Sequence, residues 1–518
     1  MTFFLATVPA GTQLYHGTWN PGVVKGIEWL AFEPEHALVF ARPRRGPPLP
    51  PGDGGAMQRD GPCSEEHAGQ HAWKHPHSRP QEPCPKDGHN PPSGPDQHDY
   101  SRPLTSTYHQ PPPPDHHRRY NMQEPLSIST VEQDVDSGYL HTYVPKNTLR
   151  LLYVDGLSAG KTENGTLDTQ DMILLNISER DGPMGGEYER ARGMCNLASS
   201  LWGNKIDGIL RMEAGFEIIL CDFEQHLERT DVITVGERND HRGPRGFMGG
   251  WRYIQAVASR YHGIGGQRVT IDYEDFVSVF AYDDIDGLFT NDVQSDYPMP
   301  RLQNVNKSTR DTIKTDITDM ILRKDWADSG STRDWQRVAD MVIERYAKPL
   351  HQLHTDQALR KDKDASAAYL AALLEPFVSV RERNASLEMQ RCVSQLVPPL
   401  PLPPRPAASL AHRTLHVVTS RICDVLLTAL SITSSPASHS TPLAYASHAA
   451  ALADELFEYL NWSTWKECGT CADDEVCYVP IWPMGSHEDH AHPRCRGEED
   501  ASSRRGYWGS RHGPPKHR

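Results

Sequence analysis

Long apolar runs are missing from this chain, and none approaches the roughly 20 residues needed to cross a bilayer, so the sequence predicts no membrane span. Positive charge is also in short supply. The 53 Lys and Arg stand against 68 Asp and Glu, for a net charge of −15, and the bases are scattered. That balance argues against a nucleic-acid groove or a polybasic membrane contact. Residues 1–10 are short, lack a basic start and run into strand-like sequence, so no signal peptide is visible. No internal repeat is found, and nothing in the sequence sets an oligomeric state.

Asparagine is scarce, yet five of the 14 asparagines open an Asn-X-Ser/Thr sequon: Asn164, Asn176, Asn306, Asn384 and Asn461. Chance would give about two. The ten cysteines add to this. Cys195, Cys221, Cys392 and Cys423 lie in regular-looking segments, whereas Cys468, Cys471, Cys477 and Cys495 are clustered. The cluster admits a zinc site, with His487, His490 and His492 as substitute ligands, or a disulfide knot. Sequons and cysteines together point to the secretory pathway or the extracellular space, which favours the knot; no metal is expected.

Composition divides the chain. Residues 43–120 hold 18 of the 42 prolines and 9 of the 26 histidines. Such a stretch buries too little to offset its ordering entropy, so 43–137 is expected to be a disordered insertion. Val397–Pro406 reads as a Pro-rich linker, and 497–518 as a disordered tail. Thr12–His16, Gly26–Phe32, Tyr139–Val144, Leu149–Val154, Met172–Asn176, Ile206–Met212 and Phe216–Phe223 read as short strands bounded by Gly, Pro, Asn or Asp. Helices are predicted at Pro34 and over Glu187–Trp202, and helical spacing dominates from Trp251, over 251–261, 309–323, 333–354, 366–377, 408–431 and 443–460. The fold class is therefore α+β: a sheet domain from 1–42 and 138–225, a helical region over 245–395, a linker and helix over 396–440, and a helix with a Cys-rich segment over 441–496.

Three strings carry the candidate chemistry. In Leu14-Tyr-His-Gly-Thr18 a polar His16 ends a short strand beside a small Gly17. In Gly26-Ile-Glu-Trp-Leu-Ala-Phe32 a strand leads into a helix opened by Pro34. In Gly215-Phe-Glu-Ile-Ile-Leu-Cys-Asp222 one carboxylate, Glu217, interrupts an apolar strand, a costly place for a charge that is neither paired nor functional. Arg211 and Lys205 are the candidate ion-pair partners that would make Glu217 structural.

These strings resemble the ADP-ribosyltransferase fold, in its poly(ADP-ribose)-polymerase-like branch with a His, Tyr, Glu signature. The resemblance covers about 1–225 without the insertion. It implies a split β-sheet domain that consumes NAD as substrate, either by ADP-ribosyl transfer to an unknown protein acceptor or by glycohydrolysis. His16 would hold the ribose, the backbone of Gly17 the nicotinamide amide, Trp29 or Phe32 the ring, and Glu217 the ribosyl cation. The chain departs from the pattern at the stacking position, where Trp29 and Phe32 stand in place of a Tyr. It is also similar to uncharacterised fungal proteins of the secretory pathway that carry the Tyr-His-Gly-Thr and Trp-Leu-Ala-Phe strings. A non-catalytic glycoprotein with a degenerate transferase-like binding domain is the alternative.

Asp155-Gly-Leu-Ser-Ala-Gly-Lys-Thr162 falls one residue short of a phosphate-binding loop, and the following Glu163–Asp168 reads as turn rather than helix. A polar loop with Asp168, Gln170 and Asp171, or a plain connection, is expected there.

Overall fold

In a computed structural model, the described residues are 1–42, 137–160, 167–177, 186–213, 215–235, 251–260, 266–283, 285–289, 300–327, 333–399, 409–436, 441–477, 489 and 492–499. All belong to one compact unit. Apart from Ser137 and Gly497–Glu499, the predicted insertion and tail lie outside them, as do most of the Pro-rich linker and the Lys-Thr end of the phosphate-loop-like string.

Nine strands form one sheet: β1 (Thr2–Val8), β2 (Leu14–Thr18), β3 (Glu28–Ala31), β4 (Gly138–Pro145), β5 (Leu149–Val154), β6 (Gly208–Met212), β7 (Phe216–Leu220), β8 (Leu227–Val235) and β9 (Thr270–Ser278). Their order is β8-β4-β2-β3-β7-β6-β5-β1-β9, and of the pairs only β5–β6 is parallel. The parallel pair needs a crossover, supplied by a π-helical turn at Thr169–Leu174 and a helix over Glu187–Ser200. Met172–Asn176, expected as a strand, is thus largely in this π-turn. Met172, Ile173 and Leu174 are all buried, and an apolar run without alternation fits either structure.

The sheet runs beyond residue 225. The stretch 245–395, expected as helical, contributes edge strand β9, which pairs with β1, while β8 closes the other edge on β4. Alternation sorts the interior: Ile218 and Leu220 pack with Leu30, Phe32 and Leu210 on one face, and Ile219 packs with Ile209, Met194 and Trp202 on the other.

The helices, in chain order, are α1 (Pro34–Leu38), α2 (Glu187–Ser200), α3 (Phe223–His226), α4 (Trp251–Arg260), α5 (Lys307–Arg323), α6 (Trp335–Thr355), α7 (Gln357–Lys361), α8 (Lys363–Leu374), α9 (Ala385–Ser394), α10 (Leu410–Ser434) and α11 (Pro442–Leu460). Ile313 and Ile317 of α5 join the α2 side of the sheet core. The later helices build a second core from Val342, Tyr346, Leu370, Ile422, Leu426 and Leu456. Among the described residues, α10 is the one helix long and apolar enough to cross a membrane. Here its Ile422, Cys423 and Leu426 are buried among neighbouring helices.

Eight cysteines pair: Cys195–Cys221, Cys392–Cys423, Cys468–Cys477 and Cys471–Cys495. The last two make the C-terminal cluster a disulfide knot. Cys392–Cys423 joins α9 to α10 across 31 residues. Replacing both by Ala is expected to lower unfolding free energy by about 3.7 kcal/mol, the loop-entropy value for such a span. Urea unfolding under non-oxidising and oxidising conditions checks it; an unchanged midpoint would contradict it.

Candidate functional site

Strand order places β7, β3 and β2 side by side, which brings the three strings together. The register runs Arg211↔Glu217 between β6 and β7, Glu217↔Ala31 between β7 and β3, and Ala31↔Tyr15 between β3 and β2. Tyr15↔Ala31 is the single registered pair of β2 and β3, so the two strands part on either side of it. A cavity of about 330 Å³ lies where they part, lined by residues of both alternation lines: His16 and Glu28 as well as Tyr15, Gly17, Trp29 and Ala31. Glu217, Arg211, Glu213, Glu187, His36 and Phe40 complete much of its wall.

Of the predicted site residues, His16, Gly17, Trp29 and Glu217 line this one cavity, and Phe32 does not. Phe32, one residue past the end of β3, is 1% exposed in the core with Leu30, under the Arg268 guanidinium. Gly17 also has a packing role. A Cβ there would lie 2.7 Å from the backbone nitrogen of Ala41 and closer still to the Ala37 carbonyl, so the missing side chain lets the α1 segment approach β2.

His16 Nδ1 lies 2.8 Å from the carbonyl oxygen of Trp29. A carbonyl only accepts, so Nδ1 carries a proton, and the neutral ring keeps a lone pair on Nε2. Burial lowers the His16 pKa against the opposing effect of that bond, which favours the neutral ring. Phe223 meets the ring edge to face at 5.7 Å and fixes its plane.

Glu217 is 5% exposed, and its Oε1 accepts from Arg211 Nε at 2.7 Å. Arg211, fully buried, also donates to Gln170 Oε1 at 2.8 Å and to Glu187. Burial alone would lower the Arg211 pKa, but the charges of Glu187 and Glu217 hold it raised. Of the two candidate partners, Arg211 is therefore the one that pairs. Lys205 donates instead to the carbonyl of Leu322 at 2.6 Å. The expected polar loop becomes support for this network: Asp171 holds Arg190, which also meets Glu187, while Asp168 accepts from Arg301 and the Leu302 amide.

Four cavity groups are not among the predicted site residues: Glu28, inside one of the strings, and His36, Glu187 and Glu213. His36, on α1, is 4% exposed, with Nδ1 3.0 Å from the hydroxyl of Tyr253 on α4 and Nε2 3.8 Å from Glu217 Oε2. Burial, then the charges of Glu213 and Glu217, push the Tyr253 pKa well up, so it stays a phenol. Glu28 could have been noticed as a second acid inside an apolar strand. The others meet only through register and α1 packing.

Burial pushes the Glu28 carboxyl up to about 7, with the Trp29 backbone amide opposing the rise. Its unfolded value is near 4.5, so between these values the folded chain binds more protons than the unfolded one. The stability contribution is full below pH 4.5 and lost as pH rises through about 7. Glu28→Gln is expected to gain roughly 1–2 kcal/mol over the native chain at pH 8 and to flatten its pH profile of unfolding. Parallel profiles for the two proteins would contradict this.

With this geometry in hand, comparisons with known proteins can be placed. Residues 1–243, which contain the whole sheet except β9, match the family described as the YPL277C N-terminal domain. The chain is 25% identical over 431 residues to a Saccharomyces cerevisiae protein named uncharacterized protein YOR389W, covering 70% of this chain and 68% of that one. It is 37% identical over 99 residues to uncharacterized protein YPL277C of the same yeast, covering 18% and 20% respectively. The expected likeness to uncharacterised fungal proteins therefore holds. No solved structure matches.

Proposed function

We propose that this cleft binds the nicotinamide-ribose end of NAD and breaks its glycosidic bond, passing the ADP-ribosyl group to water or to a protein acceptor. The observation that carries the reading is the convergence of His16, Gly17, Trp29 and Glu217 on one cavity where β2 and β3 part. Three strings separated by up to 200 residues were singled out for one chemistry, and they share one wall.

Bond cleavage passes through an oxocarbenium-like cation, and a buried carboxylate opposite the anomeric carbon stabilises it. Glu217 supplies that charge. His16 Nε2 accepts a ribose hydroxyl, and Trp29 gives the ring a flat apolar wall. As the C–N bond breaks, nicotinamide leaves neutral, water adds to the ribosyl carbon, and the released proton passes to a base. Glu28, titrating near neutrality, has the pKa suited to that task. Arg211 is the one Lys or Arg among the described lining residues and is already engaged, so the cavity suits the nicotinamide-ribose end better than the diphosphate.

One observation favours the second reading, a binding domain without turnover: the Arg211 guanidinium at 2.7 Å offsets the charge Glu217 would offer a cation. Both readings belong to a glycoprotein of the secretory pathway. Four disulfides support that placement, as does the exposure of Asn176, Asn306, Asn384 and Asn461, the four sequon asparagines among the described residues.

Binding is tested by the thermal shift of the full chain with NAD and with nicotinamide, beside Trp29→Ala. Both ligands are expected to raise the melting temperature of the native chain, and the shift should shrink in the variant. No shift with either ligand would remove the dinucleotide from the proposal.

A further inference from the structure

We propose that His36, Glu213 and Glu217 bind one divalent transition-metal cation in the wall of the cleft. The three come from α1, from the residue just past β6, and from β7. All are at least nine-tenths buried, and one donor atom from each lies within 4.8 Å of the other two. Ligands on one ion at about 2.0–2.2 Å stand roughly 3–3.5 Å apart, so small side-chain rotations close the set. This goes against the expectation of no metal drawn from the sequence, which concerned the cysteine cluster with His487, His490 and His492.

The second observation is His36 itself. Its ring is 4% exposed, and Nε2 has no hydrogen-bond partner, with Glu217 Oε2 out of bonding range at 3.8 Å. A neutral ring has two tautomers here. If Nε2 carries the proton, a buried donor goes unsatisfied; if it carries the lone pair, that pair faces carboxylates. A cation resolves the second arrangement, because Nε2 ligates it while Nδ1–H donates to the Tyr253 oxygen at 3.0 Å, the usual way a ligand imidazole is oriented. Glu217 can serve because Arg211 Nε takes its Oε1, and a carboxylate oxygen retains further lone pairs for an ion.

One imidazole and two carboxylates suit Mn²⁺, Fe²⁺, Co²⁺ or Zn²⁺ better than the all-oxygen preference of Ca²⁺ or the thiolates of soft ions. Three protein ligands leave positions open toward the cavity, the pattern of an ion that meets a ligand rather than one that only braces a fold. The site rests on the His36 geometry and not on the NAD reading, with which it shares Glu217.

The test uses the full chain, freed of metal by chelation, titrated with Co²⁺ and followed by visible absorption, with thermal unfolding in Mn²⁺ and Zn²⁺ alongside. A saturable Co²⁺ spectrum and a melting-temperature rise on the order of 5 °C at a hundredfold excess over Kd are expected. Both should be lost in Glu213→Gln. Tyr253→Phe, which keeps the packing and removes the oxygen that orients His36, should weaken binding about 10–100-fold. Histidine-rich sequence elsewhere can take up ions too, so the difference between variants decides, not total uptake.

Absence of a Co²⁺ spectrum up to millimolar ion, or a spectrum unchanged in Glu213→Gln, overturns the site. So does a His36 imidazolium found by NMR in a chain that takes up no ion. Nicotinamide release in the same samples separates the two proposals: an ion bound without turnover sustains this site and removes the NAD reading, whereas turnover by a chain that binds no ion does the reverse.

Discussion

Glu217→Gln is expected to lower nicotinamide release from NAD by about 10²–10³-fold while leaving NAD binding within a few-fold of the native chain. The substitution removes a charge and keeps the shape. Its amide oxygen still accepts from Arg211 Nε, and Glu187 still neutralises Arg211, so the fold should hold. The loss then falls on the transition state, where positive charge develops, rather than on ground-state binding. A variant that releases nicotinamide at the native rate would remove Glu217 from the chemistry. A variant that loses both rate and melting temperature would mark it as structural.

The second large effect concerns Arg211. Arg211→Met takes a fully buried cation away from Glu217 and Gln170, while Glu187 keeps its pair with Arg190. Breaking a buried ion pair by removing one partner costs about 3–5 kcal/mol, mostly through the uncompensated charge that remains. The expected result is a fall of that size in urea-unfolding free energy. Combining Arg211→Met with Glu217→Gln should recover a good part of it, because the surviving partner no longer carries a full charge. Equal stability of native chain and single variant, or simple additivity in the double, would contradict this account of the pair.

The two predictions pull on one residue from opposite sides, and that tension belongs to the site. Arg211 pairs with the Glu217 carboxylate in a buried place and at the same time lessens what its charge offers a cation. Glu28, with its carboxyl pushed up to about 7, sits in the same cavity in a less settled state.

Much of this was legible in the sequence, for identifiable reasons. The strands at the centre of the sheet are short, largely apolar runs bounded by turn residues, and β5 has the bounds read from the sequence, Leu149–Val154. Glu217 was conspicuous because a single acid broke an apolar strand. The edge strands were hidden: β8 and β9 carry Glu228, Arg229, Asp231, Asp272, Glu274 and Asp275 and were not predicted, β9 falling in the region expected as helical, because an edge strand need not bury a full face. Phe32 was expected at the cleft from its neighbours in sequence, but it lies just past β3 and packs into the core. His36 and Tyr253 meet across 217 residues, a contact that no local pattern encodes.

The central claim is that His16, Trp29 and Glu217 form one NAD-cleaving cleft. It is tested most directly by measuring nicotinamide released from NAD by the full chain secreted from a eukaryotic host. The account predicts steady release that Glu217→Gln abolishes. No release from the native chain, together with no NAD-induced shift in its melting temperature, would contradict it.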